Sequence, residues 1–132
     1  MAYLLGSIPV LELVIENPFT RTLYPTDGTA LGVIDTGFEG FLLIPWEIFT
    51  SLGFNELTLD ERELVMADSH KVKSQGTYGK AILPSLGLSF EGFIETIKGV
   101  DEIVVGTELL ENLSLTVDHC TRRVEVRARS SP

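Results

Sequence analysis

The sequence has very little cysteine and histidine, and this narrows the chemistry open to it. Its 132 residues include one cysteine and two histidines. A single thiol, Cys120, excludes an internal disulfide and a cysteine-rich zinc site. His70 and His119 lie far apart in the sequence, with no neighbouring carboxylates at metal-ligand spacing, so we expect both in solvated loops. We therefore expect no metal and no cofactor.

Positive charge is scarce as well. Ten lysines and arginines stand against nineteen acidic residues, a net charge of −9 at pH 7. Proteins that bind nucleic acids or anionic membranes usually do so through a basic surface, and such an acidic chain lacks one. There is no apolar run of ~18 residues and no basic amino-terminal segment, so neither a membrane span nor a signal peptide is predicted. We expect a cytoplasmic protein with no nucleic-acid or membrane partner.

The apolar residues that are present suffice for a folded chain. Hydrophobic residues make up 44% of the sequence, and the mean hydropathy is +0.22. Disordered chains lack the apolar area that this composition supplies. The length fits one domain, residues 1–132, because single domains commonly have this size.

Apolar residues recur mostly at every second position, which is typical of β-strands. Pro45 is suited to open a helix, since the first helical position needs no N–H. A second short helix is predicted at residues 108–112, capped by the hydroxyl of Thr107. We predict strands at 8–15, 30–34, 41–44, 78–83, 86–97 and 103–105, and hairpins at 64–73 and 115–127.

One polar triplet, Asp35-Thr36-Gly37, directly follows the apolar strand that ends at Ile34. An aspartate at a buried strand end is costly unless it is paired or protonated, which favours a functional role. The alternative is an ordinary turn, with Asp35 bonding nearby N–H groups and Gly37 at a positive φ. An isolated triplet of this kind favours the turn.

A second segment, Val104-Val105-Gly106, changes that balance. Over roughly residues 8–127 the chain resembles the retropepsin-like aspartic proteases. The resemblance lies in the order of its segments, which is VIDTGFEGFLLIP, a helix, a hairpin with a polar tip, and then IVVGTELL. The resemblance implies a mostly β, single-domain acid-protease fold with closed, barrel-like sheets, one hairpin flap and one or two short helices. In that family the second segment crosses under the first, which implies that Val105 and Gly106 support the active-site loop.

The resemblance also implies a mechanism. Peptide hydrolysis in this family needs two carboxylates that share one proton, one acting on a water and one on the scissile carbonyl. Since this chain has one such aspartate, activity implies a homodimer that places Asp35 against its symmetry mate. Thr36 would cross-link the two loops, and the N–H of Gly37 would face the dyad. The implied function is an aspartic endopeptidase acting on a peptide or protein substrate.

The hairpin at 64–73 would be the flap that covers a bound peptide. Flaps of this family are usually glycine-rich at the tip, so a hairpin without a task is the alternative. The expected substrate contacts are Phe38 in the cleft and Ala67, Asp68, Ser69 and His70 at the tip.

Two features depart from the family pattern. Phe38 follows the triplet where the retroviral enzymes commonly have Ala or Ser, and Glu39 comes next. A bulky ring there would narrow the cleft, and an added carboxylate would raise the pKa of the dyad. The closing hairpin at 115–127 exceeds the single strand with which viral proteases build their dimer. The alternative function is therefore a catalytically silent retropepsin-fold module that binds peptides or assembles, with the triplet as a structural turn.

Overall fold

The computed structural model describes residues 1–65 and 68–129, which are mostly β-strand. This agrees with the class predicted from the alternating apolar residues. The helices are α1 (Trp46–Ser51) and α2 (Thr107–Leu110), with single 3-10 turns at Phe54–Glu56 and Pro84–Leu86. The strands are β1 (Ala2–Leu5), β2 (Ile8–Asn17), β3 (Thr22–Tyr24), β4 (Ala30–Ile34), β5 (Leu42–Leu43), β6 (Asp60–Val65), β7 (Lys71–Leu83), β8 (Leu88–Thr96), β9 (Ile103–Val105), β10 (Leu113–Asp118) and β11 (Arg123–Ala128).

Both predicted helices form, but the predicted cap of α2 is wrong. Gly106 is the residue before α2, and Thr107 is its first helical residue, with no side-chain cap hydrogen bond. The N–H groups of Thr107 and Glu108 instead donate to the carbonyls of Phe38 and Gly40. These bonds satisfy the first N–H groups of the helix, so no hydroxyl cap is needed. Within residues 1–65 and 68–129, no helix has the length and hydrophobicity needed to cross a membrane.

The long strand β2 organises the main sheet. Its first half pairs with β4 and its second half with β7, both antiparallel. The order of strands runs β1-β2-β4-β9-β5-β8-β7-β6, and the additional pairing of β2 with β7 closes six of these strands into a ring. β4 pairs with β9 in parallel, as β5 does with β8. β10 and β11 form a separate two-stranded sheet.

The core fills the inside of this ring and extends under α1. Phe49, Leu52 and Phe54 are fully buried, and the rings of Phe49 and Phe54 lie 5.4 Å apart between centroids. Each such side chain contributes about 1.5–3 kcal/mol on burial. Leu115 and Val126 of the β10–β11 hairpin pack against the same core. The ends of β4 and β9 therefore rest on a tightly filled interior.

Asn17, at the end of β2, is a buried polar side chain whose loss should destabilise the fold. Its amide nitrogen donates to the carbonyl of Leu52 over 2.8 Å, which ties β2 to the end of α1. Asn17→Ala leaves that buried carbonyl without its partner, so we expect the free energy of unfolding to fall by about 1–3 kcal/mol in urea titrations. The exposed Asn55 supplies the control, because Asn55→Ala should change it by less than about 0.5 kcal/mol. Equal losses from the two variants would contradict this role.

Candidate active site

The site is built where β4 and β9 end side by side. In this parallel pair Val33 lies opposite Val104 and Ile34 opposite Val105. The chain leaves β4 directly into Asp35, whose N–H donates to the carbonyl of Val105 over 3.0 Å. The two segments singled out in the sequence are therefore neighbours in the fold.

Further backbone hydrogen bonds hold the loop that follows β4 against the segment that follows β9. Each such bond contributes about 0.5–1.5 kcal/mol, and together they restrict the loop to one conformation. They run from Gly106 to Phe41 over 3.0 Å, from Thr107 to Phe38 over 2.9 Å and from Glu108 to Gly40 over 3.1 Å.

The carboxylate of Asp35 is exposed in the single chain rather than buried. Its Oδ1 accepts a hydrogen bond from the N–H of Gly37 over 2.8 Å, the contact that an Asx turn also makes. Gly37 does not have the positive φ expected of the turn alternative. A Cβ at this position would lie 3.1 Å from Oδ1, so the glycine allows the close approach of the carboxylate. The hydroxyl of Thr36 is exposed and bonds to no side chain or backbone group in the described part of the chain.

Phe38 packs within the loop. A Cβ on Gly40 would lie 2.5 Å from Cζ of the Phe38 ring, and a Cβ on Gly106 would lie 2.6 Å from its Cδ2. The ring is half-buried and occupies the space that these two glycines leave open. The aromatic residue after the triplet thus stabilises the loop from within, a role that its neighbours in the sequence do not indicate.

The tip of the β6–β7 hairpin is polar and exposed. Asp68 Oδ1 accepts a hydrogen bond from the N–H of His70 over 2.9 Å, and Ser69 has a left-handed φ of 67°. All three side chains are exposed. Ala67, the fourth residue expected at this tip, lies outside the described residues. The tip residues and Asp35 share no hydrogen bond or ion pair among the described residues.

The base of this hairpin is anchored near the loop. Arg62 pairs with Ser74 across β6 and β7, so their side chains share one face with those of Leu64 and Val72. From that face Arg62 Nη1 lies 3.5 Å from Glu108 Oε1 at the start of α2. One face of the hairpin base is therefore turned toward the active-site loop.

Sequence reasoning missed Glu95, a buried acid on β8. The side chain is fully buried, and Ser74 Oγ donates to its Oε1 over 2.6 Å. Burial raises the pKa of Glu95, an effect that the Ser74 hydrogen bond and the positive charge of Arg62 partly offset. A glutamate inside the run Phe93-Ile94-Glu95-Thr96 was the available signal, because charged residues rarely occupy a buried strand.

The remaining candidates lie apart from this site. His119 and Cys120 are exposed in the turn between β10 and β11. In that turn Asp118 Oδ1 accepts hydrogen bonds from the N–H groups of Cys120 and Thr121. These bonds, mainly those from Thr121, lower the pKa of Asp118. Within the described residues there is no group of three or more metal-ligating side chains.

Comparison with solved structures identifies the fold. The chain superposes on a retropepsin-like aspartic protease from Rickettsia conorii with a TM-score of 0.63, covering 89% of this chain and 82% of the other at 15% identity. A match at this identity establishes the architecture. The fold is retropepsin-like, as the paired motifs predicted.

Comparison with curated sequences adds a relative. An uncharacterized protein of Archaeoglobus fulgidus is 44% identical over 118 residues, which are 89% of this chain and 92% of the relative. The chain belongs to the family of this archaeal protein. No family model matches the sequence. Because the present chain has a retropepsin-like fold, this fold occurs in the family that it shares with the archaeal protein. The archaeal protein itself is uncharacterized.

Proposed function

We propose that this protein is an aspartic endopeptidase that hydrolyses peptide bonds as a homodimer. The observation that carries the proposal is the loop after β4, which leaves the carboxylate of Asp35 exposed at a strand end. Four backbone hydrogen bonds tie that loop to residues 105–108. A catalytic carboxylate has to be held in place in this way, because small displacements of reacting groups cost large factors in rate.

The dimer follows from the chemistry. Two carboxylates a few Å apart do not both ionise easily, so they share one proton. This chain has a single aspartate in the Asp-Thr-Gly context, and its side chain is exposed and free to meet the partner's Asp35. The exposed hydroxyl of Thr36 is available to bond across the same two-fold axis. A monomer would lack the second carboxylate and be inactive.

In the proposed reaction the ionised member of the dyad accepts a proton from a water molecule. The water oxygen then attacks the scissile carbonyl carbon, while the protonated member donates its proton to the carbonyl oxygen. Collapse of the tetrahedral intermediate breaks the C–N bond: the leaving nitrogen takes up a proton from the protonated member of the dyad, and one hydroxyl of the intermediate returns a proton to the ionised member, which leaves the dyad with its single shared proton. The N–H of Gly37, 2.8 Å from Oδ1, holds the Asp35 carboxylate in orientation during these transfers.

The substrate would be an extended peptide lying between the loop and the β6–β7 hairpin. The half-buried Leu64 and Val72, on the face that Arg62 turns toward α2, support this position for a peptide chain. Closure of the hairpin would exclude water from the cleft. The residues proposed to touch the substrate are Phe38, Ala67, Asp68, Ser69 and His70.

The test is cleavage of a diverse peptide pool at pH ~4–7, the range in which a shared-proton dyad works. Asp35→Asn should lower cleavage by at least about 100-fold, because asparagine accepts no proton from water. Asparagine keeps the Oδ1 acceptor for the N–H of Gly37, so this variant should keep the fold of the wild-type chain, as circular dichroism would check. Asp27→Asn, at another exposed turn, should cleave normally. Equal cleavage by wild type and Asp35→Asn would disprove the aspartic mechanism.

The hydrogen bond between Gly37 and Asp35 also favours a second function, a silent peptide-binding or assembly module. That bond is the one made by an ordinary Asx turn, which needs no catalysis. Sedimentation together with the cleavage assay separates the two functions. A dimer in which wild type and Asp35→Asn are both inert would support the module.

A further inference from the structure

Glu95 occupies a fixed position between two neighbouring strands. On one side it pairs with Gly76 of β7, and on the other with Leu43 of β5. Its carbonyl also accepts a hydrogen bond from the N–H of Ile44 over 2.9 Å. The backbone therefore leaves this side chain little freedom to move out of the protein.

The carboxyl group of Glu95 lies between the hairpin base and the active-site loop. On the hairpin side Oε1 accepts the 2.6 Å hydrogen bond from Ser74. On the loop side Oε2 is buried and has no hydrogen-bond partner among the described residues. A Cβ built on Gly40 would lie 2.8 Å from that Oε2, so the oxygen is packed directly against the loop. One carboxyl group thus touches both the base of the hairpin and the active-site loop, whose relative position the proposed reaction needs to keep fixed.

The charged groups around Glu95 do not neutralise it fully. From β6, Arg62 stacks its guanidinium 4.1 Å above the ring of Phe93 and also pairs with Glu108 of α2 at 3.5 Å. The two acids of the active-site loop, Asp35 and Glu39, are exposed to solvent. β5 consists of two leucines, and the β7 residue in contact is the neutral Ser74. A negative charge on Glu95 would therefore face one cation, Arg62, which is shared with one acid, Glu108.

We propose that Glu95 in its neutral, protonated form is a positioning residue that ties the base of the β6–β7 hairpin to the active-site loop, and that its ionisation loosens this tie. The inference rests on the proposed function, since it makes Glu95 the group that limits peptidase activity at higher pH. Glu95 would act through Gly40 and the loop, without touching the substrate.

The sign of the effect follows from burial. An acid whose pKa is raised in the folded state binds its proton more tightly there than in the unfolded chain. The neutral form then contributes stability at low pH, and this stability is lost as the pH rises from the ordinary value of 4.5 through the raised pKa of folded Glu95. Once ionised, the carboxylate has to leave the packed position beside Gly40 or draw water into it.

The first measurement follows thermal unfolding of wild type and Glu95→Gln as a function of pH. Glutamine keeps the acceptor for Ser74 and carries no titrating proton, so the fall in melting temperature above pH 4.5 should be smaller in the variant. Glu91→Gln, on an exposed position of the same strand, should follow the wild-type profile. Parallel profiles for wild type and Glu95→Gln would overturn the inference. This readout does not depend on peptidase activity.

The second measurement is the pH dependence of kcat. Above the pKa of Glu95, wild-type kcat should fall about tenfold per pH unit. In Glu95→Gln this alkaline limb should move to higher pH, up to the limit at which the dyad loses its shared proton, while the acid limb set by the dyad stays in place. An unmoved alkaline limb in a stable Glu95→Gln protein would contradict the positioning role. An inert wild type with the predicted melting profiles would instead refute the proposed function and leave the buried tie intact.

A third measurement needs no variant, in case Glu95→Gln does not fold. Carbon-13 NMR of the side-chain carboxyl carbons follows the titration of Glu95 in the wild-type protein. We expect a midpoint above 4.5, in line with burial of the group between Ser74 and Gly40. A midpoint at or below that value would overturn the inference.

Discussion

A ninefold excess of the Asp35→Asn variant should lower peptide cleavage by a fixed amount of wild-type protein about tenfold, once subunits have exchanged. Each proposed dyad needs an aspartate from both chains, and random pairing leaves about one tenth of the wild-type chains with a wild-type partner. At equal amounts the loss should be about twofold. The measurement is the cleavage rate at saturating substrate, so that inactive dimers cannot act by binding the peptide.

The control for this mixing experiment is the same excess added and assayed immediately, before exchange. At that point the wild-type rate should be unchanged, which separates subunit exchange from any direct inhibition. If the rate remains unchanged after full exchange, each chain works by itself and the shared dyad is wrong. The wild type alone should also lose activity on dilution below its dimer dissociation constant.

Among the residues that hold the active-site loop in place, Gly106 should be the least tolerant of substitution, so Gly106→Ala should lower both stability and activity the most. A Cβ there would collide with the carbonyl oxygen of Gly40, a backbone atom that a rotamer change cannot move, and would lie 2.6 Å from Cδ2 of Phe38. The loop would have to separate from α2 and lose the hydrogen bonds from Thr107 and Glu108. We expect the free energy of unfolding to fall by about 3 kcal/mol. We also expect kcat/KM to fall by at least about 100-fold.

Gly87→Ala is the matched control for that substitution. A Cβ at Gly87 meets nothing within 4 Å, but the residue has a left-handed φ of 64°. Alanine there should cost about 1–2 kcal/mol through backbone strain and leave cleavage unchanged. Urea unfolding and peptide cleavage of the two variants separate collision from strain. If both lose the same stability and the same activity, the packing of Gly106 against Gly40 is not what holds the site.

Local patterns in the sequence were sufficient for the mostly β class and for the pairing of the two motifs. Val33-Ile34 and Val104-Val105 are apolar strand ends that each lead into a polar or glycine residue, and such ends need neighbours in a buried sheet. In the structure they are adjacent parallel strands. The short helix after Pro45 was also predicted correctly, although Pro45 is the residue before α1 and Trp46, instead of the proline, is its first helical residue.

Non-local contacts account for what the sequence did not indicate. The strand predicted at 78–83 is the end of one strand that begins at Lys71, and it continues past Gly76 because that glycine packs against Phe93 and the carbonyl of Ile94. Thr107 was expected to cap α2, but carbonyl groups about 70 positions earlier in the chain satisfy the helix instead. Neither contact can be predicted from the residues adjacent in the sequence.

By itself the sequence determined the alternation that makes the chain a β protein, and the acidic triplet placed after an apolar strand. Those depend on residues close together, where side-chain period and turn chemistry act directly. Only the tertiary structure decided that Phe38 fills the space above Gly40 and Gly106, and that Glu95 is buried behind the same loop. Packing and desolvation depend on which distant strands meet, and here the closure of β2 on β7 sets that.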